Sequence, residues 1–258
     1  MTNSDSLDDV PSPDDADRVL IGLEINMAGE KVEFKIKLPR GLATWDDLLP
    51  FMRTLIAVGS DISQEYFASR DKHVSCRAGC GICCRQRVPL AEFEAHRLRA
   101  LIESMPEPRR TEVIARFRAA EQRIAELGDS ISIGSDLALT MEEMSVRARK
   151  YFNLMIACPF LENESCSIYE ERPLKCREYL VTSPAELCAN PDSSAIVPLP
   201  LPLNVYMATL RLGNSPEDST VRWVPLTSLM SWTDQHEPEQ ATRTGPELLH
   251  EFMNQLSQ

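Results

Sequence analysis

Eight cysteines stand in two groups of four, and thiolates are the donors that zinc and the irons of iron–sulfur clusters accept in tetrahedral sets. The first group is CRAGCGICC, in which Cys76, Cys80, Cys83 and Cys84 form a C-x3-C-x2-C-C run, four soft ligands within nine residues. Cys158, Cys166, Cys176 and Cys188 make the second group. Close spacing lowers the loop-closure entropy of collecting ligands around one point, so this density predicts metal ligation by all eight, with an iron–sulfur cluster or Zn²⁺ as the cofactor. Gly79 and Gly81 flank Cys80, where a residue without Cβ lets the backbone turn tightly and aim N–H groups at sulfur. An even count of cysteines also suits four disulfides. That economy belongs to short secreted chains, whereas 258 residues at 43% hydrophobic content can bury a core, so the thiols are expected to be reduced and employed.

The residues around the thiols fit that chemistry. From Arg70 to Arg87 five basic side chains (Arg70, Lys72, Arg77, Arg85 and Arg87) are opposed only by Asp71, and nearby cations favour thiolates and offset the charge of a loaded four-thiolate centre. The stretch Cys158-Pro-Phe-Leu, a turn over 162–165 and Cys166-Ser-Ile-Tyr reads as a short hairpin with a cysteine at the start of each strand. Glu170-Glu171-Arg172-Pro173 then starts a helix, which puts Cys176 in the first turn, where the helix dipole and Arg172 and Arg177 are expected to depress its pKa. Arg172, Arg177 and Tyr179, with Glu170, are candidate cofactor-binding residues that bind an anionic group or tune the centre, with capping and ion pairing as the alternative. Cys188 lies beyond Pro184 and is either a ligand or a buried free thiol. The adjacent Cys83 and Cys84 rarely both reach one ion, which leaves two four-ligand sites or one centre with spare cysteines. A structural zinc ion takes no more than four thiolates, and the surplus favours iron–sulfur. The histidines have no zinc-finger spacing: His73 is expected at the surface, and His96, His236 and His250 are structural or exposed.

Positioning these groups falls to a mainly helical α+β fold. Ile21, Leu23, Ile25 and Met27, then Val32, Phe34, Ile36 and Leu38, alternate with polar residues on either side of Ala28-Gly29-Glu30, a β-hairpin with one buried face. A helix from Thr44 to about Arg70, kinked or restarted at Pro50, delivers the chain to the first cysteines. A helical insert of about residues 88–157 separates the two groups: a helix opened by Pro89 and ended near Met105, a second to about Gly128 with an apolar stripe (Val113, Ile114, Phe117, Ile124, Leu127), a loop from Gly128 to Asp136, and a third from Thr140. Residues 191–258 are expected to form a Pro-rich segment followed by an extension, with Trp223, Trp232 and an amphipathic 246–256, that packs back on the core; residues 18–190 are then the cysteine-cluster domain.

Charge and hydropathy limit the partners. The formal charge is −12, and half of it falls in residues 1–17, which reads as a solvated disordered tail. No general field attracts nucleic acid, and no apolar run reaches the roughly 18 residues of a membrane span. With no basic-then-apolar leader, the chain is expected in the cytoplasm, binding metal and, through its acidic tail or Pro-rich stretch, another protein.

CRAGCGICC followed by CPFL and CSIYEERPLKCREY resembles the CxxCxxCC-type family of zinc- or iron-chelating domains, also called YkgJ-like cysteine cluster proteins of bacteria. The likeness runs from Cys76 to Tyr179 and falls on the cysteines and on Pro159, Phe160, Leu161, Ile168, Tyr169, Glu170, Arg172, Pro173, Arg177 and Tyr179. The helical insert, the N-terminal hairpin and the chain after Tyr179 lie outside it. The resemblance implies a bound metal and leaves catalysis open. Flagellin lysine N-methylases resemble the same family, which implies an iron–sulfur-dependent methyl-transferring or redox enzyme as one alternative. A zinc-stabilised interaction module is the other.

Overall fold

The computed structural model describes residues 17–126, 141–190, 193–212 and 223–257. The tail up to residue 16, the loop expected at Gly128–Asp136 and Pro191 lie outside the described residues. The architecture is α+β and mainly helical, with small antiparallel strand pairs and an N-terminal hairpin.

Alternation of apolar and polar residues produces β1 (Arg18–Met27) and β2 (Glu30–Pro39), in a register that sets Ile21 opposite Ile36 and Leu23 opposite Phe34. Ala28 and Gly29 both take positive φ, as the tight turn that matches the strands' twist requires, and Asn26 Oδ1 accepts the Gly29 N–H at 2.9 Å. The inner face buries Ile25, Met27, Phe34, Ile36 and Leu38 against α1 (Trp45–Ala68). Thr44 caps this helix by giving its N–H to Asp47 Oδ2 at 2.9 Å. One continuous helix passes through Pro50, which lies in its second turn.

The insert builds a second core. Sequence reasoning opens its first helix at Pro89, but Pro89–Leu90 is extended and pairs antiparallel with Val224–Pro225, and α2 (Glu92–Glu103) begins only after it. The proline's fixed φ suits an extended edge as well as a first helical turn, and the helix start is set instead by Glu94, whose carboxylate accepts the Ala91 N–H at 3.2 Å. Leu98 and Ile102 of α2 join Val113 and Phe117 of α3 (Arg109–Ala125) in a cluster that also takes Phe160 and Ile168 from the second cysteine stretch. Tyr151 and Phe152, near the end of α4 (Met141–Asn153), are buried, and the Tyr151 hydroxyl bonds Thr227 Oγ1 at 3.3 Å.

The C-terminal chain serves both cores. Val224, Leu226 and Leu229 pack on the insert, whereas Leu248, Leu249 and Phe252 pack on the hairpin and α1. The Pro-rich stretch covers α1: Pro200 O accepts from Ser63 Oγ at 2.8 Å, and Pro202 abuts Gly59. The last helix, Gly245–Leu256, starts where a Cβ on Gly245 would stand 2.5 Å from Pro39 O and 2.7 Å from Leu38 Cβ. Backbone cannot yield as a side-chain tip can, so Gly245→Ala is expected to cost about 2 kcal/mol, read as a lower urea midpoint at unchanged slope. No helix among the described residues is long and apolar enough to cross a membrane.

Candidate metal centre

The two cysteine groups, more than seventy residues apart in sequence, are laced together by main-chain bonds. Cys83 and Cys84 lie in a 3-10 turn, Ile82–Arg85, and Cys84 O accepts the Cys158 N–H at 2.7 Å. Cys166 sits on the short hairpin of β3 (Leu161–Glu162) and β4 (Ser165–Cys166), directly across from Leu161. Cys176 is the third residue of α5 (Leu174–Glu178), behind Pro173. On the other side of the first group, Ser75 N donates to Val181 O at 3.0 Å, and Val181 N donates to Cys76 Sγ at 3.4 Å. The turn Ala185–Ala189, which carries Cys188, packs against the Ile82–Arg85 turn. All eight cysteines are free thiols; Cys188 is a buried residue and the other seven are half-buried, with the thiol ends of Cys158 and Cys176 turned inward.

A clamp holds the first loop to the hairpin turn. Arg85 gives two parallel bonds to Glu164, 2.9 and 2.6 Å, and a third to Gly81 O at 2.9 Å. Asn163 and Glu164 make the turn with positive φ, and a Cβ on Gly81 would lie 2.7 Å from Leu161 Cδ1 and Glu164 Oε2 and 3.1 Å from Glu164 O. Nothing in the residue pattern marks Gly81 as a point of close approach rather than a plain turn glycine. Gly81→Val is expected to push the hairpin off the loop, lowering bound metal at least several-fold while far-UV circular dichroism stays near wild type.

Electrostatically the thiols form one neighbourhood with Cys83 at its middle. Cys83 hydrogen-bonds Cys84, and it is a charge neighbour of Cys76, Cys158, Cys166, Cys176 and Cys188. Burial pushes the Cys158 thiol well above the cysteine range, and the bond to Cys84 followed by burial does the same to Cys83. The expected depression of Cys176 is reversed: burial first, then Cys83 and Cys166, push it up to about 12. A helix of five residues has little dipole to offer, and Arg172 lowers the value less than burial among thiols raises it. Cys76, Cys83, Cys158, Cys166, Cys176 and Cys188, all raised in the metal-free protein, are therefore neutral near pH 7, and a metal must displace their protons to bind. Among the described residues no three His, Cys, Asp or Glu side chains stand in metal-holding geometry, so the thiols expected to ligate would have to draw together around an ion. The donor set fits zinc or iron: soft, reduced sulfurs from interlocked segments, with no disulfide consuming them.

Arg172 is the cation that faces these thiols most widely, neighbouring Cys76, Cys83, Cys166 and Cys176, while its guanidinium lies 3.7 Å over the Tyr169 ring. Arg177 neighbours Cys166 and is tied to the main chain at Arg172 O and Glu170 O. Tyr179 hydrogen-bonds Gln86 and neighbours Cys188, Cys83 and Cys76. The loop cations expected to share this duty are mostly turned elsewhere: Arg70 covers Tyr66, Arg77 pairs with Glu186, and Arg87 covers Trp223, leaving Arg85 beside Cys84. His73 is exposed beside Asp71, and His96 and His236 pack on Trp232.

Two features that sequence reasoning missed set the second group's position. Glu94, buried, accepts the Leu174 N–H at 2.8 Å through one oxygen while the other holds Ala91. Burial outweighs those two bonds and raises its pKa to about 7. A carboxyl whose folded pKa exceeds its unfolded value of 4.5 contributes stability fully below that value and loses it as pH rises through about 7. Urea stability of the metal-free protein should accordingly fall between pH 5 and pH 8, and Glu94→Gln should flatten that slope. The insert supplies the second feature: Arg109 donates to Ser167 O at 3.0 Å, and Arg116 donates to Pro159 O at 3.0 Å and to Glu162 at 2.9 Å. Phe117 meets Phe160, two residues from Cys158, edge to face at 5.3 Å.

Neither the curated proteins nor the solved structures include a match to this chain. A family model does match, over residues 75–193, a span that holds all eight cysteines, the insert and the Ala185–Ala189 turn. The family whose model matches residues 75–193 is CxxCxxCC, described as a putative zinc- or iron-chelating domain, and over that span the chain is similar to it.

Proposed function

We propose that this chain is a metal-binding protein whose thiolates hold an iron–sulfur cluster or zinc. The observation that carries this reading is the interlock at Cys84 O and Cys158 N, which brings two distant cysteine groups into one neighbourhood around Cys83. The chain's own residues then have distinct parts. Cysteines from both groups supply the sulfur donors, with Cys84 and Cys188 included. Arg172 and Arg177 offset the negative charge that loading adds, and Tyr179 with Gln86 covers the Cys76 and Cys188 side. When bound, zinc would supply a crosslink between the two groups, and an iron–sulfur cluster would add electron transfer. Eight thiols exceed what a single zinc ion takes, and that surplus favours the cluster over a lone zinc.

Anaerobic purification of the full chain, followed by metal and acid-labile sulfide analysis, tests the reading. Iron with sulfide and a visible absorption band supports the cluster, and zinc without a band supports the crosslink. Protein with eight titratable thiols, no metal and no uptake of either ion would refute both.

A further inference from the structure

The two strands of the N-terminal hairpin are finished differently at their free edges. β2 packs on the body, meeting α1, the last helix and Leu42–Ala43, and its exposed positions carry Lys31, Glu33, Lys35 and Lys37, with Pro39 at its end. Lysines and a proline are how natural sheets keep a strand edge from pairing with another chain. β1 is the outlying strand: among the described residues its sheet partner is β2 alone. From Val19 to Leu23 it carries no charge, Leu20 is 59% exposed, and Val19, Ile21 and Leu23 are only half-buried on the inner face. Asp17 O accepts the Arg40 N–H at 2.8 Å, so the odd-numbered residues turn their main-chain groups to β2, and Leu20, Gly22 and Glu24 turn theirs outward. Nothing in a single chain calls for glycine at 22, which has no positive φ and where a Cβ would meet nothing within 4 Å. Glycine inside a strand costs stability and often marks the close approach of another backbone.

We propose that two copies of this chain pair through β1, edge to edge and antiparallel, so that the two hairpins form one four-stranded sheet. The strand's own order fits it to a copy of itself. With Ile21 on the two-fold axis, Leu20 lies opposite the partner's Gly22, Val19 opposite the partner's Leu23, and Arg18 opposite the partner's Glu24. The exposed leucine then covers the strand position that has no side chain, and opposite charges close each end of the contact on the same outer face. Centring the axis on Gly22 instead would set Leu20 against Glu24 and Arg18 against Asn26, losing both matches. The residues that turn N–H and C=O outward are the ones the Ile21 register pairs, so the ladder needs no rearrangement of the hairpin. Arg18 lies 3.9 Å from Asp47 and Glu24 bonds Lys31 at 2.7 Å, surface pairs of small worth that the new contact can exchange. The contact is small, and a reversible dimer with a Kd of about 10 µM is expected. The inference is independent of the metal reading, since neither strand bears a cysteine.

Sedimentation velocity on the reduced full chain, over a concentration series, should show reversible passage from one copy to two. Glu24→Arg sets like charges opposite each other at both ends of the contact and should weaken the dimer at least about tenfold; adding Arg18→Glu should restore it to within about threefold of wild type. Gly22→Pro removes an outward N–H without touching the β1–β2 ladder and should leave a single copy with an unchanged circular dichroism spectrum. If that variant fails to fold, the charge reversal and its rescue still decide. Hydrogen exchange at the Leu20, Gly22 and Glu24 amides should slow as concentration rises. A single copy at every concentration up to about 1 mM, with fast exchange at those amides, would overturn the proposal. A dimer indifferent to Glu24→Arg would place the contact on another surface and overturn it as well. Slow exchange at the three amides in a single-copy protein would mean that the chain itself covers the β1 edge, which excludes a second copy there.

Discussion

Replacing Phe117 by Asp is expected to unfold much of the protein. Phe117 is fully buried, and removing such a ring leaves a cavity worth about 3–5 kcal/mol before the cost of burying a carboxylate is added. Against a typical total of about 5–15 kcal/mol, that is enough to depopulate the native state. The ring contacts Phe160, and α3 reaches the same hairpin through Arg109 and Arg116, so the insert acts as a scaffold that holds the second cysteine group from behind. Thermal unfolding and metal content measured together check this. Metal should disappear in step with folding, and a folded Phe117→Asp protein that has lost its metal would contradict the scaffold role.

The second large effect is expected at Cys176. Its sulfur is buried beside Cys83 and Cys166, and the residue follows Leu174, whose N–H is pinned by Glu94. A serine hydroxyl is a far poorer partner for zinc or iron, and metal-binding energy is folding energy where a site draws its donors from separate segments. Cys176→Ser should therefore lose most of its metal and about 4 kcal/mol of stability in the loaded protein, while the metal-free forms of variant and wild type melt nearly together. Equal metal content and equal melting in the loaded proteins would show that Cys176 is merely a buried thiol.

The parts legible in the sequence were those governed by local rules. Period-two alternation located both strands of the N-terminal hairpin, apolar spacing located the helices of the insert, and a hairpin after Cys158 followed from its turn chemistry, although neither cysteine starts a strand: Cys158 precedes Leu161–Glu162 and Cys166 ends Ser165–Cys166. Pro89 does not open a helix because its fixed φ serves an extended edge as well as a helix start, and the deciding partner strand, Val224–Pro225, lies far along the chain. The ionisation of Cys176 was misjudged for a related reason: the neighbouring arginines and the helix start are visible in sequence, whereas the burial that outweighs them is a tertiary property. Glu94 reads as an ordinary helix-start carboxylate, and only folding shows it bonded to Leu174 eighty residues away. Gly81 likewise gives no hint of the hairpin that closes over it.

Thiolate ligation by the two interlocked groups is tested most directly by X-ray absorption at the edge of the metal carried by the anaerobically purified full chain. A first shell made of sulfur, at about 2.3 Å for zinc, is the predicted result, with that shell lost in Cys83→Ser. A shell dominated by nitrogen or oxygen, unchanged when Cys83 is replaced, would contradict it.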